Sequence, residues 1–280
     1  MTALSLRQNP AARRAAGLLL LAVVVPVACV FLGRWQWHRH VDRSAAIAVV
    51  ERNYAAEPVP LADLLPAPGA ALDPDDVWRQ ATVTGRYAAD AVVLLRNRPV
   101  DSQPGFHVLV PLRVADGSVL VVDRGWVAWD DDASGEVAVP APPSGDVTVT
   151  VHLRADEPAS ARSAPAGQVQ AIHVEQVLAA GGLDGAASFG GYGAAVVEDP
   201  AAAVPLGRLP EPSTDPGSHL SYAFQWWTFA VGSLAAFTWM ARRELLEGAG
   251  GPAEDAAVPA RRRRTSDEET EDALIDSQLG

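Results

Sequence analysis

The sequence predicts a membrane protein in which two transmembrane helices flank an extracytoplasmic antiparallel β (α+β) domain. Three observations carry this prediction. Two long runs lack charge, one near each end of the chain. Arginines gather behind the second run. Between the runs, apolar residues alternate with period two and are interrupted by turn residues.

The first run, residues 15–32 (AAGLLLLAVVVPVACVFL), contains no charged side chain. At ~1.5 Å per residue it spans ~27 Å, close to the apolar thickness of a bilayer. With the interfacial residues Trp35 and Trp37 the helix is assigned to residues 15–37, and Pro26 is expected to kink it. Arg7, Arg13 and Arg14 before it fit a secretory leader. The next segment, GRWQWHRH, is bulky and charged, offers no A-x-A cleavage site, and favours an uncleaved helix. The second run, residues 220–240 (LSYAFQWWTFAVGSLAAFTWM), gives ~31 Å by the same rise, with Trp226 and Trp227 near one end and Trp239 near the other. This helix is assigned to residues 219–241, and Gly232 and Ala236, four apart, favour close helix packing.

Orientation is set by charge. Arg242, Arg243 and the run Arg261 to Arg264 lie behind the second helix, which places the C-terminus in the cytoplasm. Two spans then put residues 1–14 in the cytoplasm and residues 38–218 outside. The expected location is the plasma membrane, crossed twice. Residues 242–280 read as a disordered cytoplasmic tail of Gly, Ala, Pro and charge.

The outside stretch has 24 acids against 12 arginines. After a helical continuation and a Pro-rich linker, strands are expected over 77–87 (with a bend at Gly85), 91–95, 104–114, 118–129, 146–154 and 194–198, and a short helix over 174–180. Asp116-Gly117 marks a hairpin between the third and fourth of these strands. FGGYG, residues 189–193, reads as a turn. Hairpins in succession predict an antiparallel sheet or a small open barrel.

Composition excludes several chemistries. All 22 basic residues are arginines, so neither a Walker-type lysine nor a Schiff base is available. The single cysteine, Cys29, excludes an internal disulfide and a cysteine zinc site. A net charge of −12 disfavours nucleic acid as a partner. No G-x-S-x-G, G-x-G-x-x-G after a strand, or H-E-x-x-H occurs, and the chain reads as a non-enzyme. Asp130 to Asp132 lack calcium-loop spacing, and Asp156-Glu157 before Pro158 reads as turn chemistry. His38 and His40 suit interface anchoring, and His107, His152 and His173 suit hydrogen-bonded roles in the outside domain. His219 stands at the outer mouth of the second helix. At helical spacing it shares a face with Tyr222, Ala223, Trp226, Ala230 and Ser233, which could hold the edge of a flat apolar ligand such as a haem or form a packing seam.

Four segments in order bear a family resemblance: LGRWQWHR (32–39), PGFHVLVPL (104–112), VLVVDRGWVAW (119–129) and HLSYAFQWW (219–227). Together they make the chain resemble the surfeit-locus (Shy-type) cytochrome c oxidase assembly family over roughly residues 17–243. Asp123 stands where that family often has Asn, and Ala128 where it often has Pro. The resemblance implies an assembly factor for haem-copper cytochrome c oxidase that assists insertion of haem a into subunit I or stabilises that subunit. Its implied partners are subunit I, other oxidase assembly factors or respiratory complex subunits, and membrane lipid. The family histidine at the helix mouth corresponds to His219, a candidate haem a iron ligand and the only metal contact implied, with Tyr222 and Trp226 beside it. Arg124, within Arg-Gly-Trp, is implied as a contact for a haem propionate or a partner's carboxylate, with a buried structural ion pair as its alternative. The rival readings are a structural accessory subunit or scaffold of a respiratory supercomplex, and an unrelated envelope sensor.

Overall fold

The structure, a computed structural model, describes residues 10–129 and 137–249. The acidic triplet at Asp130 and most of the expected cytoplasmic tail, with its arginine run, lie outside the described residues. In chain order the elements are α1 (Pro10–Asn53), β1 (Val59–Pro60), α2 (Leu61–Leu64), a 3-10 turn (Pro74–Asp76), β2 (Gln80–Tyr87), β3 (Val93–Leu95) and β4 (Gly105–Val114). Then come β5 (Val119–Ala128), β6 (Val147–Ala155), β7 (Gln168–Val169), α3 (Val174–Ala180), β8 (Ser188–Asp199) and α4 (His219–Ala249). The chain divides into two compact units, residues 1–38 with 218–280, and residues 39–217.

The first unit pairs α4 with the N-terminal part of α1. The two run antiparallel: Arg14 Nε lies 3.1 Å from Glu244 Oε2 at one end, and Gln36 meets His219 at the other. The seam is built of small residues. Ala11, Ala15, Ala22 and Cys29 on α1 are buried, as are Ala223, Ala230 and Ala241 on α4. The steps from 15 to 22 to 29 and from 223 to 230 are heptads, which keep one face toward the partner. Gly232 and Ala236 are exposed, so the expected packing pair lies off the seam, Gly232 on nearly the opposite side of the helix from Ala230. The large apolar side chains Leu20, Val23, Phe31, Phe224 and Val231 are exposed, the reverse of a water-soluble helix pair. Among the described helices α1 is long and apolar enough to cross a membrane. In α4, Tyr222, Gln225 and three tryptophans dilute the aliphatic residues.

The second unit is a mixed sheet with short helices rather than a wholly antiparallel one. Strand order is β1-β2-β6-β8-β5-β4-β3-β7, and β2 also pairs with β4, so β2, β6, β8, β5 and β4 close a ring. Closure turns on Gly85, which pairs with Val147 of β6 and with Val114 of β4. A Cβ at Gly85 would overlap the Arg113 carbonyl oxygen, so the bend needs glycine. The expected β4–β5 hairpin is present. Gly117 has φ +86°, and Asp116 Oδ1 accepts from the Ser118 amide at 2.9 Å. The short pairs β1–β2 and β3–β7 are parallel, and so is β5 with β8, joined through the long connection that contains β6, itself antiparallel to β8. FGGYG lies inside β8, not in a turn. A Cβ at Gly190 would lie 2.5 Å from the Ala70 carbonyl oxygen, and one at Gly193 would lie 2.8 Å from Val151. These glycines admit close neighbours across the strand.

β4 and β5 are buried on both faces. Val108, Val110, Leu112, Leu120 and Val122 fill the ring interior, with Val149, Val151 and Leu153 of β6. On the opposite face, Leu109, Val119 and Val121 pack against Val177 and Leu178 of α3. This two-sided burial explains why these strands read as continuous apolar runs. Leu109→Ala should therefore cost about 2–5 kcal/mol in denaturant unfolding. Val204→Ala, at an exposed position, should stay within about 0.5 kcal/mol.

Candidate functional site

The helix pair brings two distant sequence segments together. His219 Nδ1 lies 2.9 Å from Gln36 Oε1. The amide oxygen can only accept, so Nδ1 carries the proton and Nε2 presents its lone pair. Three residues toward the N-terminus, Gly33 leaves room for Trp227, whose indole would overlap any Cβ placed there. Trp227 also lies against Trp37, with ring centroids 6.1 Å apart, and takes Phe224 edge-on at 5.6 Å. The segments 32–39 and 219–227 are thus two halves of one contact. Of the expected haem-site residues, His219 and Trp226 are half-buried and Tyr222 is exposed on the same helix. Trp226 stacks edge-on with Phe229 at 6.0 Å. One imidazole nitrogen held by a side-chain oxygen and one left free suits a single axial ligand to a haem iron. Among the described residues no group of three or more His, Cys, Asp or Glu is arranged to hold a metal ion.

Arg124 belongs to the other unit, where β5 departs from regular pairing. His107 pairs with Trp126, but Leu109 pairs with Asp123, so β5 carries an extra residue around Arg124 and Gly125. Gly125 has φ +144°, and a Cβ there would lie 2.6 Å from the Gly207 carbonyl oxygen. Trp126 then exchanges two backbone hydrogen bonds with Gly207, at 2.9 and 2.8 Å. The parallel register of β5 with β8 ends at Asp123 and Ala194, and a cleft of about 660 Å³ opens beyond it.

Three pairs organise this region. Arg124 donates from Nε and Nη2 to the two oxygens of Glu198, at 2.6 and 2.9 Å, and Tyr87 donates to Oε1 of the same carboxylate at 2.8 Å. Arg98 grips Glu157 in the same bidentate way, at 2.9 and 3.0 Å. Burial pushes the Glu157 carboxyl up. Hydrogen bonds from Arg98 and the Ile172 amide outweigh that and hold it below the usual range. His107 Nδ1 meets Asp123 Oδ2 at 2.7 Å, both buried. Burial raises the Asp123 carboxyl against the opposing hydrogen bond from His107. Burial pushes the Tyr192 hydroxyl up to about 12. Burial also lowers His152, which stacks on Tyr54 with ring centroids 4.2 Å apart.

Arg124 therefore sits in a buried ion pair, and any role toward an anion falls to its remaining nitrogen. That nitrogen, Nη1, is buried without a hydrogen-bond partner in the protein, as are His107 Nε2 and Trp126 Nε1. An orphan of this kind costs about 1–3 kcal/mol. His173 and Asp156 are structural: Asp156 accepts from the Val174 amide at 2.8 Å at the start of α3 and meets His173 Nδ1 at 2.8 Å. Sequence reasoning missed Gln36, Glu198 and the His107–Asp123 pair. The available signal was a charged pair, Asp123-Arg124, inside an otherwise apolar strand.

Comparison with known proteins gives one family. A model of the SURF1 family matches residues 23–231. An uncharacterized SURF1-like protein of Mycobacterium tuberculosis is 34% identical over 253 residues, 85% of this chain and 90% of that protein. A SURF1-like protein of Monosiga brevicollis is 31% identical over 128 residues, 42% of this chain and 47% of that one. The cytochrome oxidase assembly protein SHY1 of Saccharomyces cerevisiae is 25% identical over 109 residues, 39% of this chain and 27% of that one.

Two outcomes are expected from this geometry. Gly33→Ala should destabilise the helix pair by about 1–3 kcal/mol in detergent unfolding, whereas Gly17→Ala, with open space around its Cβ, should not destabilise it. Arg124→Ala should cost about 3–5 kcal/mol by leaving Glu198 uncompensated. Arg124→Met combined with Glu198→Leu should recover most of that loss, and chemical unfolding of the four-member cycle measures the coupling.

Proposed function

The chain belongs to the SURF1 family, and from that membership we propose that it is an assembly factor, not an enzyme, for cytochrome c oxidase. It acts from the plasma membrane as a two-pass protein with both termini cytoplasmic and the β unit outside. The inverted polarity of the helix pair, alanines inside and Leu, Val and Phe outside, supports the membrane reading. Its working partners are oxidase subunit I and the other assembly factors that act on it.

The finer reading is that the helix mouth holds haem a on its way to subunit I. The observation that carries it is the His219–Gln36 hydrogen bond. It fixes the tautomer that leaves Nε2 able to ligate, and it orients the ring as a partner to a ligating histidine does. Haem a would supply an iron for Nε2 and a flat apolar body. Tyr222 and Trp226, one and two turns along the same helix, supply the surface for that body.

The test is a reduced-minus-oxidised spectrum of membranes from a deletion strain. The a-type haem band should fall while b- and c-type bands stay. Wild-type chain should restore it, His219→Ala should not, and Gln36→Ala should restore it in part. Unchanged bands in the deletion strain would overturn the assembly role. Full rescue by His219→Ala would remove the ligand while leaving that role intact. Recovery of the chain in one-to-one ratio with purified oxidase would make it an accessory subunit instead.

A further inference from the structure

We propose that the cleft opened where β5 and β8 part is a binding site for a small organic carboxylate, separate from the helix mouth and independent of any iron. The place is suited to a ligand. β5 and β8 are parallel neighbours up to Asp123 and Ala194, and the cleft lies beyond that last pair, lined by Asp123 and Arg124 of β5 and by residues 194–198 of β8. Its volume, about 660 Å³, is that of a small-molecule pocket.

Two buried polar atoms on lining residues have no partner in the protein, Arg124 Nη1 and His107 Nε2. Arg124 Nη1 can only donate. His107 has Nδ1 2.7 Å from Asp123 Oδ2 and Nε2 unspent. A carboxylate satisfies both: Arg124 donates to one oxygen, and a proton lies between the other oxygen and Nε2.

Charge at the cleft points the same way. Arg98 and Arg124 are matched by Glu157 and Glu198. Arg154 lines the cleft with its guanidinium carbon 3.7 Å above the Trp78 ring centroid, and among the described residues no carboxylate lies within ion-pair distance of it. A guanidinium over an indole face still has N–H donors for a planar acceptor. Glu211, the lining carboxylate without an ion pair among the described residues, is exposed and accompanied by Arg208. Val196 and Leu206 add an apolar wall for the ligand's body.

The probes are benzoate and its neutral isostere benzamide, titrated calorimetrically into the full chain in detergent micelles at pH 7. Benzoate should bind saturably. Benzamide should bind at least about tenfold more weakly. Arg154→Gln, which breaks no ion pair, should weaken benzoate by about tenfold or more at an unchanged melting temperature. Absence of saturable benzoate binding, equal binding of benzamide, or unchanged affinity in Arg154→Gln would overturn the proposal, whatever the state of His219.

Discussion

The register break in β5 is the constraint on which the β unit depends. With Gly125 at φ +144°, the strand leaves β8 at Asp123 and is paired again three residues later, through Trp126 and Gly207. Any side chain at position 125 would meet the Gly207 carbonyl and strain a backbone region that only glycine enters freely. One residue thus has three consequences. β5 can pair in parallel with β8 over its first half and still close the ring through β4. Arg124 is aimed at Glu198 instead of into the ring core. The sheet also acquires a cleft, and beyond it Gly207 takes up both backbone groups of Trp126.

The helix unit is governed by a different balance. In water, burying alanines while exposing Leu, Val and Phe would be unfavourable, since each large apolar side chain left in solvent forgoes roughly 1.5–3 kcal/mol. In a lipid setting that penalty vanishes, and close backbone approach decides the packing. Heptad alanines supply that approach along the length of the pair. At the mouth, Gly33 continues it so that the Trp227 indole can lie over the α1 backbone. This seating brings Gln36 within hydrogen-bond reach of His219. The polar contact thus depends on an apolar one, a glycine chosen for the bulk of a tryptophan on the other helix.

Legibility in the sequence followed the range of the interactions. The β4–β5 hairpin and α3 are fixed by local chemistry, an Asp-Gly turn and a helix stopped at Gly181-Gly182, and both were readable. The glycines of residues 189–193 were not. Glycine marks a turn by default, and here it marks close approach of Ala70 and Val151, which no local pattern records. The parallel β5–β8 pair and ring closure are likewise non-local. At the site, His219 stood out because an imidazole ends an apolar run, but its partner Gln36 lies 183 positions away. Asp123 was visible as a departure from a family pattern and as a charge inside an apolar strand. Its burial against His107 could be seen only once β4 and β5 were in register.

The absence of lysine has a structural counterpart in the cleft. Arg98 and Arg124 each meet both oxygens of one carboxylate, and Arg154 has its guanidinium carbon over an indole face. Each arrangement uses the planar fork of guanidinium. An ammonium group has no second parallel donor for the carboxylate and no flat face for the ring. The fork has a further effect at Arg124. Glu198 occupies Nε and Nη2, which lie on one edge, and Nη1 projects from another edge with its donors unspent. A lysine in that ion pair would hold its charge at a single point against Glu198. An arginine can be neutralised on one side and still recognise an oxygen on the other. In a domain with twice as many acids as bases, this is how a buried cation can remain both structurally committed and chemically available.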